Sequence, residues 1–327
     1  MKLLPLAAVA VLTGPPAFGQ NPGGAGLDWV AIGDPGNRAT LPSEAPFHPD
    51  PMGAVNYEFH ITRTPVTATQ WLEFVEAYAP YLDSQTQRSL PFTTLLIQRT
   101  APGPDPRYGI IPGKEHHPVD PSWHFAATYC NWLHNGKAAE KWAFESGTYD
   151  ISTFYKRPDG SRADQRERSP GAQYYLPNLD EWTKAVYYDP DRYGAGEEGY
   201  WPYPGGSEDP LVSGLPGVPG AETSAGTGEL LPVGQYPGVD APWGLLDASG
   251  GRFEWIEDVY REDGKYRRNV SSSRFSDPWY EDRIDTRFFH RSPDLSGVSF
   301  RVATTIPAPP AMVTVAAFSL FSWRRRR

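Results

Sequence analysis

The stretch from Gly244 to Trp255, GLLDASGGRFEW, decides how this chain is read. Three glycines, one aspartate and a Phe-Glu-Trp ending fit a phosphate cradle, a metal loop or a hard turn. A phosphate cradle needs its glycines followed by Lys and Ser or Thr at the mouth of a helix, and this stretch has no Gly-Lys-Ser or Gly-Lys-Thr. A calcium loop needs about six to eight oxygen ligands; Asp247 and Glu254 offer carboxylates here, whereas Gly251 offers no side-chain oxygen. A turn asks only for backbone angles that other residues avoid. It would carry Glu254 inward, and because an unpaired buried carboxylate is costly, Glu254 would then need an arginine such as Arg301. Calcium on Asp247 and Glu254 stays open beside that pairing.

Upstream of this stretch three helices announce their own starts. Thr67 with Gln70 forms a capping box ahead of Trp71, Phe74, Val75 and Tyr78 at helical spacing, and Pro80 ends the run. Asp120 or Ser122 caps a second helix with Trp123, Ala126, Ala127, Cys130 and Leu133 or His134 on one face. Asn178 and Glu181 open a third, with Trp182, Ala185 and Val186 inward. Between the second and third lies a polar insertion, Tyr149 to Tyr175, with strand-like edges and a charged tip. From Gly194 to Gly238 the chain is rich in Gly and Pro with little period, which predicts an ordered, irregular loop with a mobile portion over 205–228. There is no internal repeat and no second domain boundary. The reading is a single α+β domain with few helices, short strands and much irregular coil.

The ends predict export. Lys2, an apolar run from Leu3 to Leu12 and the small residues Ala17 and Gly19 read as a signal peptide over 1–19. At the other end stand a Pro-rich hinge at 306–310, an apolar stretch from Ala311 to Trp323 and four arginines. That stretch is shorter than the ~20 residues of a comfortable membrane-crossing helix, and its arginines would stay on the cytoplasmic side. The formal charge is −9, and −14 without Lys2 and Arg324 to Arg327. This excludes nucleic acid and anionic membrane as partners of the body, since both need a basic face. Cys130 is the single cysteine, so no intramolecular disulfide is possible and an exported domain must be held by its aromatic-rich core.

Taken in order, these pieces resemble the formylglycine-generating enzyme family, also called the sulfatase-modifying factor domain, whose fold is related to C-type lectins. The family's helix start, acidic-Val-Thr-Asn-x-x-aromatic, is answered by Thr64-Pro65-Val66-Thr67-Ala68-Thr69-Gln70-Trp71. His117-Pro118-Val119, Trp123 and then Ala126-Ala127-Thr128-Tyr129-Cys130-Asn131-Trp132-Leu133 follow. Tyr175-Leu176-Pro177-Asn178-Leu179-Asp180-Glu181-Trp182 stands for Arg-Leu-Pro-Thr-Glu-Ala-Glu-Trp. The opening stretch stands for Gly-Leu-x-Asp-Met-x-Gly-Asn-Val-Trp-Glu-Trp, preceded by Pro232-Val233-Gly234. The resemblance spans residues 27–303 and implies one domain of that fold, in which the glycine stretch is a turn whose Glu helps bind calcium in some members. The tail 306–327, with Pro307-Ala308-Pro309-Pro310, resembles a PEP-CTERM sorting signal. It implies an exosortase-type processing enzyme as partner, cleavage near Pro307 and attachment to the cell surface or extracellular matrix; otherwise the tail is a membrane anchor.

The resemblance also shows what is missing. Active members bind Cu(I) through two cysteines between an Arg-Gly-Gly-Ser-Trp strand and a closing Gly-Phe-Arg, a role for soft sulfur ligands. Here Arg268, Ser271, Phe275 and Phe300-Arg301 echo those motifs, and no cysteine lies between them. Cys130 matches a packing position, so copper chemistry is excluded by composition and no catalytic residue carries over. The favoured expectation is an exported, surface-attached binding or structural module for a peptide or glycan. Its groove candidates are Trp243, Trp279, Tyr280 and Arg301, with Trp201 and Tyr203 beside them. The alternative is an oxidoreductase of the formylglycine-generating or non-haem iron kind, whose metal would sit on Asp285, His290 and Asp294, near Asp282. Of the seven histidines only His116, His117 and His124 are dense, and a structural role fits them better than ligation.

Overall fold

The computed structural model describes residues 26–101, 107–158, 162–262, 265–286 and 289–305, without the side chains of 261–265, 279, 289 and 290. The signal peptide and the sorting tail read from the sequence lie outside these residues. The first half contains β1 (Trp29–Ile32), β2 (Phe59–Thr62), α1 (Ala68–Tyr78), α2 (Leu90–Thr93), β3 (Ile97–Ala101), β4 (Arg107–Ile110), α3 (Trp123–His134) and α4 (Trp142–Glu145). The second contains β5 (Tyr155–Lys156), β6 (Arg162–Ala163), β7 (Tyr174–Tyr175), α5 (Leu179–Tyr187), β8 (Tyr188–Gly194) and β9 (Glu197–Tyr200). It closes with β10 (Glu254–Glu262), β11 (Lys265–Ser271), β12 (Phe289–Arg291), β13 (Ser299–Phe300) and β14 (Ala303–Thr304).

The helices begin where their side chains can hold the first free N–H groups. Thr67 and Gln70 close a reciprocal box at α1, and Asn178 and Glu181 do the same at α5. Of the two caps open for α3, Ser122 takes the place and accepts from the Phe125 N–H at 3.3 Å. That helix stops at His134, and Gly136 and Lys137 just beyond it both adopt positive φ.

Two apolar clusters fill the interior. One packs α1 and α3 around Trp71, Phe74, Tyr129 and Trp132; the other packs α5 against β1 and β2. Burial of a side chain such as Phe74 stabilises by about 1.5–3 kcal/mol. Three buried indoles satisfy their N–H groups: Trp71 donates to the Phe92 carbonyl at 2.8 Å, Trp123 to Ile256 at 3.1 Å and Trp255 to Pro121 at 3.0 Å.

One four-stranded sheet has the order β1-β2-β14-β7 and another the order β12-β11-β10-β13. The pairing of β10 with β13 is parallel, Glu254 opposite Ser299 and Trp255 opposite Phe300, while β14 pairs antiparallel with β2 and β7. Residues 299–304 therefore leave one sheet and enter the other within six positions, with Arg301 at the crossing. The Gly194–Gly238 stretch opens with strand β9, paired with β8, which the loop reading did not foresee; beyond it come short turns and isolated bridges, Tyr203 to Ser207 and Ser213 to Thr223.

Candidate functional site

The glycine stretch is a turn. Asp247 sits at φ 58° and Gly250 at φ 75°, and any side chain at Gly250 would run into the Ala225 backbone and the Thr223 hydroxyl. The turn delivers Glu254 to a fully buried position at the head of β10. Both its oxygens meet Arg301 Nε, at 3.0 and 2.9 Å, and Oε2 also accepts from Trp182 Nε1 at 3.0 Å. The rest of the Arg301 guanidinium donates to the carbonyls of Thr62, Arg63 and Leu246. One ion pair thus joins β10, the strand crossing, β2, α5 and the glycine turn. The pairing expected for a buried Glu254 is present.

Three residues further along β10 the same chemistry recurs at the edge of a cleft. Its volume is about 900 Å³, and Tyr57, Arg168, Tyr175, Asn178, Glu257 and Asp258 line it. Arg168 lies 2.8 Å from Glu181 Oε1 and 3.1 Å from Glu257 Oε2, with its guanidinium 3.8 Å above the Tyr175 ring. The Tyr57 hydroxyl donates to Glu181 at 2.6 Å, and the Tyr149 hydroxyl donates to Glu257 at 2.8 Å. Burial pushes the Glu257 carboxyl up to about 7, against the pull of Arg168. Asp258 accepts the first N–H of α5, from Leu179, at 2.6 Å. The wholly buried Arg268 holds the insertion against this wall: it pairs with Asp164 at 2.9 Å and lies 3.5 Å above the Trp123 ring.

The residues nominated from the sequence fall elsewhere. Arg301 is wholly buried, so it is part of the core junction and not of a groove; a buried guanidinium must be paired, and Glu254 pairs it. Asp247 accepts from Gly234 N at 2.7 Å, while both oxygens of Glu254 are engaged by Arg301 and Trp182. Asp285 pairs with Arg283 at 2.8 Å and accepts from Phe47 N, whereas Asp294 pairs with Arg162 at 2.5 Å and accepts from Ser292. The two carboxylates are thus held by different arginines, and the His290 side chain lies outside the described residues. Among the described residues no group of three or more His, Cys, Asp or Glu side chains stands close enough to hold a metal ion. Trp243 is half-buried and stacked on Tyr188, Tyr280 is exposed, Tyr203 is buried, and the Trp279 side chain is not described. Trp201 bonds Asp189 and lies under Arg192. His117 meets Lys114, whereas His124 stacks on Phe154 near Asp164, so these histidines serve separate surroundings.

Between Arg268 and Phe300, where the resemblance would put two thiolates, the interior is held by hydroxyls. Asp282, fully buried and pushed up to about 7 by that burial, accepts from Ser249 at 2.6 Å, and Ser249 shares a 2.6 Å bond with Thr223. The model of the sulfatase-modifying factor enzyme 1-like domain matches residues 14–303. The chain belongs to that family. Its fold is similar to a crystal structure of CarF, with 18% identity and a TM-score of 0.51 over 85% of this chain and 98% of that one. PvdO from Pseudomonas aeruginosa matches at 17% identity and a TM-score of 0.48 over 88% and 99%, and Treponema denticola variable protein 1 at 13% and 0.47 over 86% and 95%. A search of curated proteins finds no match. The sulfatase-modifying factor domain here thus keeps the family's single mixed α+β domain. Sequence reasoning missed Tyr57, Arg168, Tyr175 and Glu257 as site residues, which come from four separate segments; the one local hint was the acidic pair Glu257-Asp258 one residue beyond the Glu-Trp motif.

Proposed function

We propose that this sulfatase-modifying factor domain is an exported, surface-attached binding module that does not perform copper-dependent formylglycine chemistry. The observation that carries the reading is its one thiol. Cys130 is wholly buried on α3, and burial, followed by the nearby Glu257 carboxylate, pushes it well above the ordinary thiol range. A protonated, sealed thiol is neither a nucleophile nor a metal ligand, and no second cysteine exists in the chain. Export and attachment rest on the sequence of the two ends. Among the described residues no helix is long and apolar enough to cross a membrane.

The test is the metal content of the full chain, purified in detergent, exposed to copper, iron, zinc, manganese and calcium and then exhaustively dialysed. The expected result is no retained copper or iron. One tightly held copper, iron or manganese per chain would overturn the reading in favour of a metal-dependent oxidoreductase with nitrogen and oxygen ligands.

A further inference from the structure

We infer that the cleft beside β10 is a binding site for a neutral saccharide, held by the Tyr175 hydroxyl, the Asn178 amide and the Asp258 carboxylate. The inference rests on the binding-module reading and names the ligand class. A volume of about 900 Å³ lies within the range of small-molecule sites. Both signs of charge line it: Arg166 and Arg168 stand with Glu167, Glu257 and Asp258, and Arg168 is already answered by Glu181 and Glu257. A charged ligand therefore meets its own sign as well as its opposite.

The groups left over suit hydroxyls, which both donate and accept. Tyr175 is 1% exposed, and no hydrogen bond of ordinary geometry reaches its hydroxyl, although the Glu181 carboxylate lies beside it. A buried hydroxyl in that condition is costly and calls for a partner. Asn178 spends its Oδ1 on the Glu181 N–H, and Asp258 spends Oδ2 on Leu179. Among the described residues the amide NH₂ of the first and the second oxygen of the other are not committed. A peptide anchor would need an apolar subsite. Among the described residues the only aliphatic side chains lining the cleft are those of Pro170, Ala172 and Val259. Thr305, the last described residue before the C-terminal segment, also lines the cleft.

The experiment titrates the full chain with neutral oligosaccharides of glucose, galactose, mannose and N-acetylglucosamine. Polygalacturonate fragments and a set of short peptides serve as competing classes. At least one neutral oligosaccharide should bind, and Tyr175→Phe should weaken it about tenfold, as expected for one lost hydrogen bond, with a melting temperature of the free chain that is not lowered. Asn178→Asp keeps a good helix cap but removes the amide donor, and should weaken it similarly. The inference falls if no neutral oligosaccharide binds, if only acidic oligosaccharides or peptides bind, or if neither variant changes the affinity. Peptide binding without retained copper or iron would leave the module reading standing, whereas a tightly held transition metal would overturn that reading whatever the saccharide result.

Discussion

Strand β10 carries two glutamates three residues apart, and each meets an arginine from a distant part of the chain. Glu254 and Arg301 are both fully buried, and every strong hydrogen-bonding group of the pair is used inside the protein. Glu257 and Arg168 make the same kind of pair, but the arginine is partly exposed and the pair faces a cleft. The register of β10 against β11 shifts between Trp255 and Val259, which breaks the strict alternation of faces and lets both glutamates serve the interior side. The difference teaches that residue type does not separate a structural ion pair from a candidate site. Access to solvent and uncommitted neighbours do.

The sharpest way to break this comparison is Arg301→Met. It strands a carboxylate where water cannot reach, and unfolding in urea should show a loss of about 3–5 kcal/mol. A loss under about 1 kcal/mol would mean that the junction is not sealed. Arg168→Met removes the partner of Glu181 and Glu257, which are both buried, but Tyr57 and the Asn178 N–H still serve the first and Tyr149 the second. The expected loss is smaller, about 2–3 kcal/mol. Equal losses for the two variants would erase the distinction between closed and open.

Acidity sharpens it further. Burial raises the Glu257 carboxyl to about 7 in the folded chain from an ordinary 4.5. The folded state then binds more protons than the unfolded one between these values, so the contribution is fully present below the lower value and is lost as pH rises through 7. From pH 5 to pH 8 this one group should cost about 2 kcal/mol of stability. Glu257→Gln should remove that part of the slope in urea titrations at the two pH values. Asp282 adds a slope of the same sign, because its burial raises it likewise to about 7, so the variant should flatten the profile only in part. An unchanged profile would show that Glu257 is ionised throughout, as an open cleft with full solvation would allow.

The closed centre was legible in the sequence and the open one was not, for a physical reason. Capping boxes are local, so Thr67 with Gln70 and Asn178 with Glu181 can be read over four positions. The Glu254 pairing follows from the cost of a buried charge once a glycine turn carries that residue inward. The cleft depends on Tyr57, Arg168, Tyr175 and Glu257, brought together by β7 and other short segments that have no measurable period. Glu181 shows the limit most plainly: read as a cap, it also binds Tyr57 and Arg168. The aromatic residues nominated as a groove were chosen by type, and Tyr203 and much of Trp243 are packed.

The smallest expected effect tests whether the lone thiol belongs to either centre. Cys130 packs in the same buried cluster as Tyr149, whose hydroxyl reaches Glu257. Cys130→Ala deletes one buried sulfur and leaves a void smaller than a methylene-rich truncation would, so the loss should be about 1 kcal/mol. The pH slope, the saccharide affinity and the metal content should all match those of the unaltered chain. If the pH slope flattened with the thiol gone, the cleft wall would depend on the packing behind it, and the open centre would be less independent of the core than its exposed arginine implies. If retained metal fell instead, the thiol would be a ligand despite its burial, and the binding-module reading would fail at the observation that carries it.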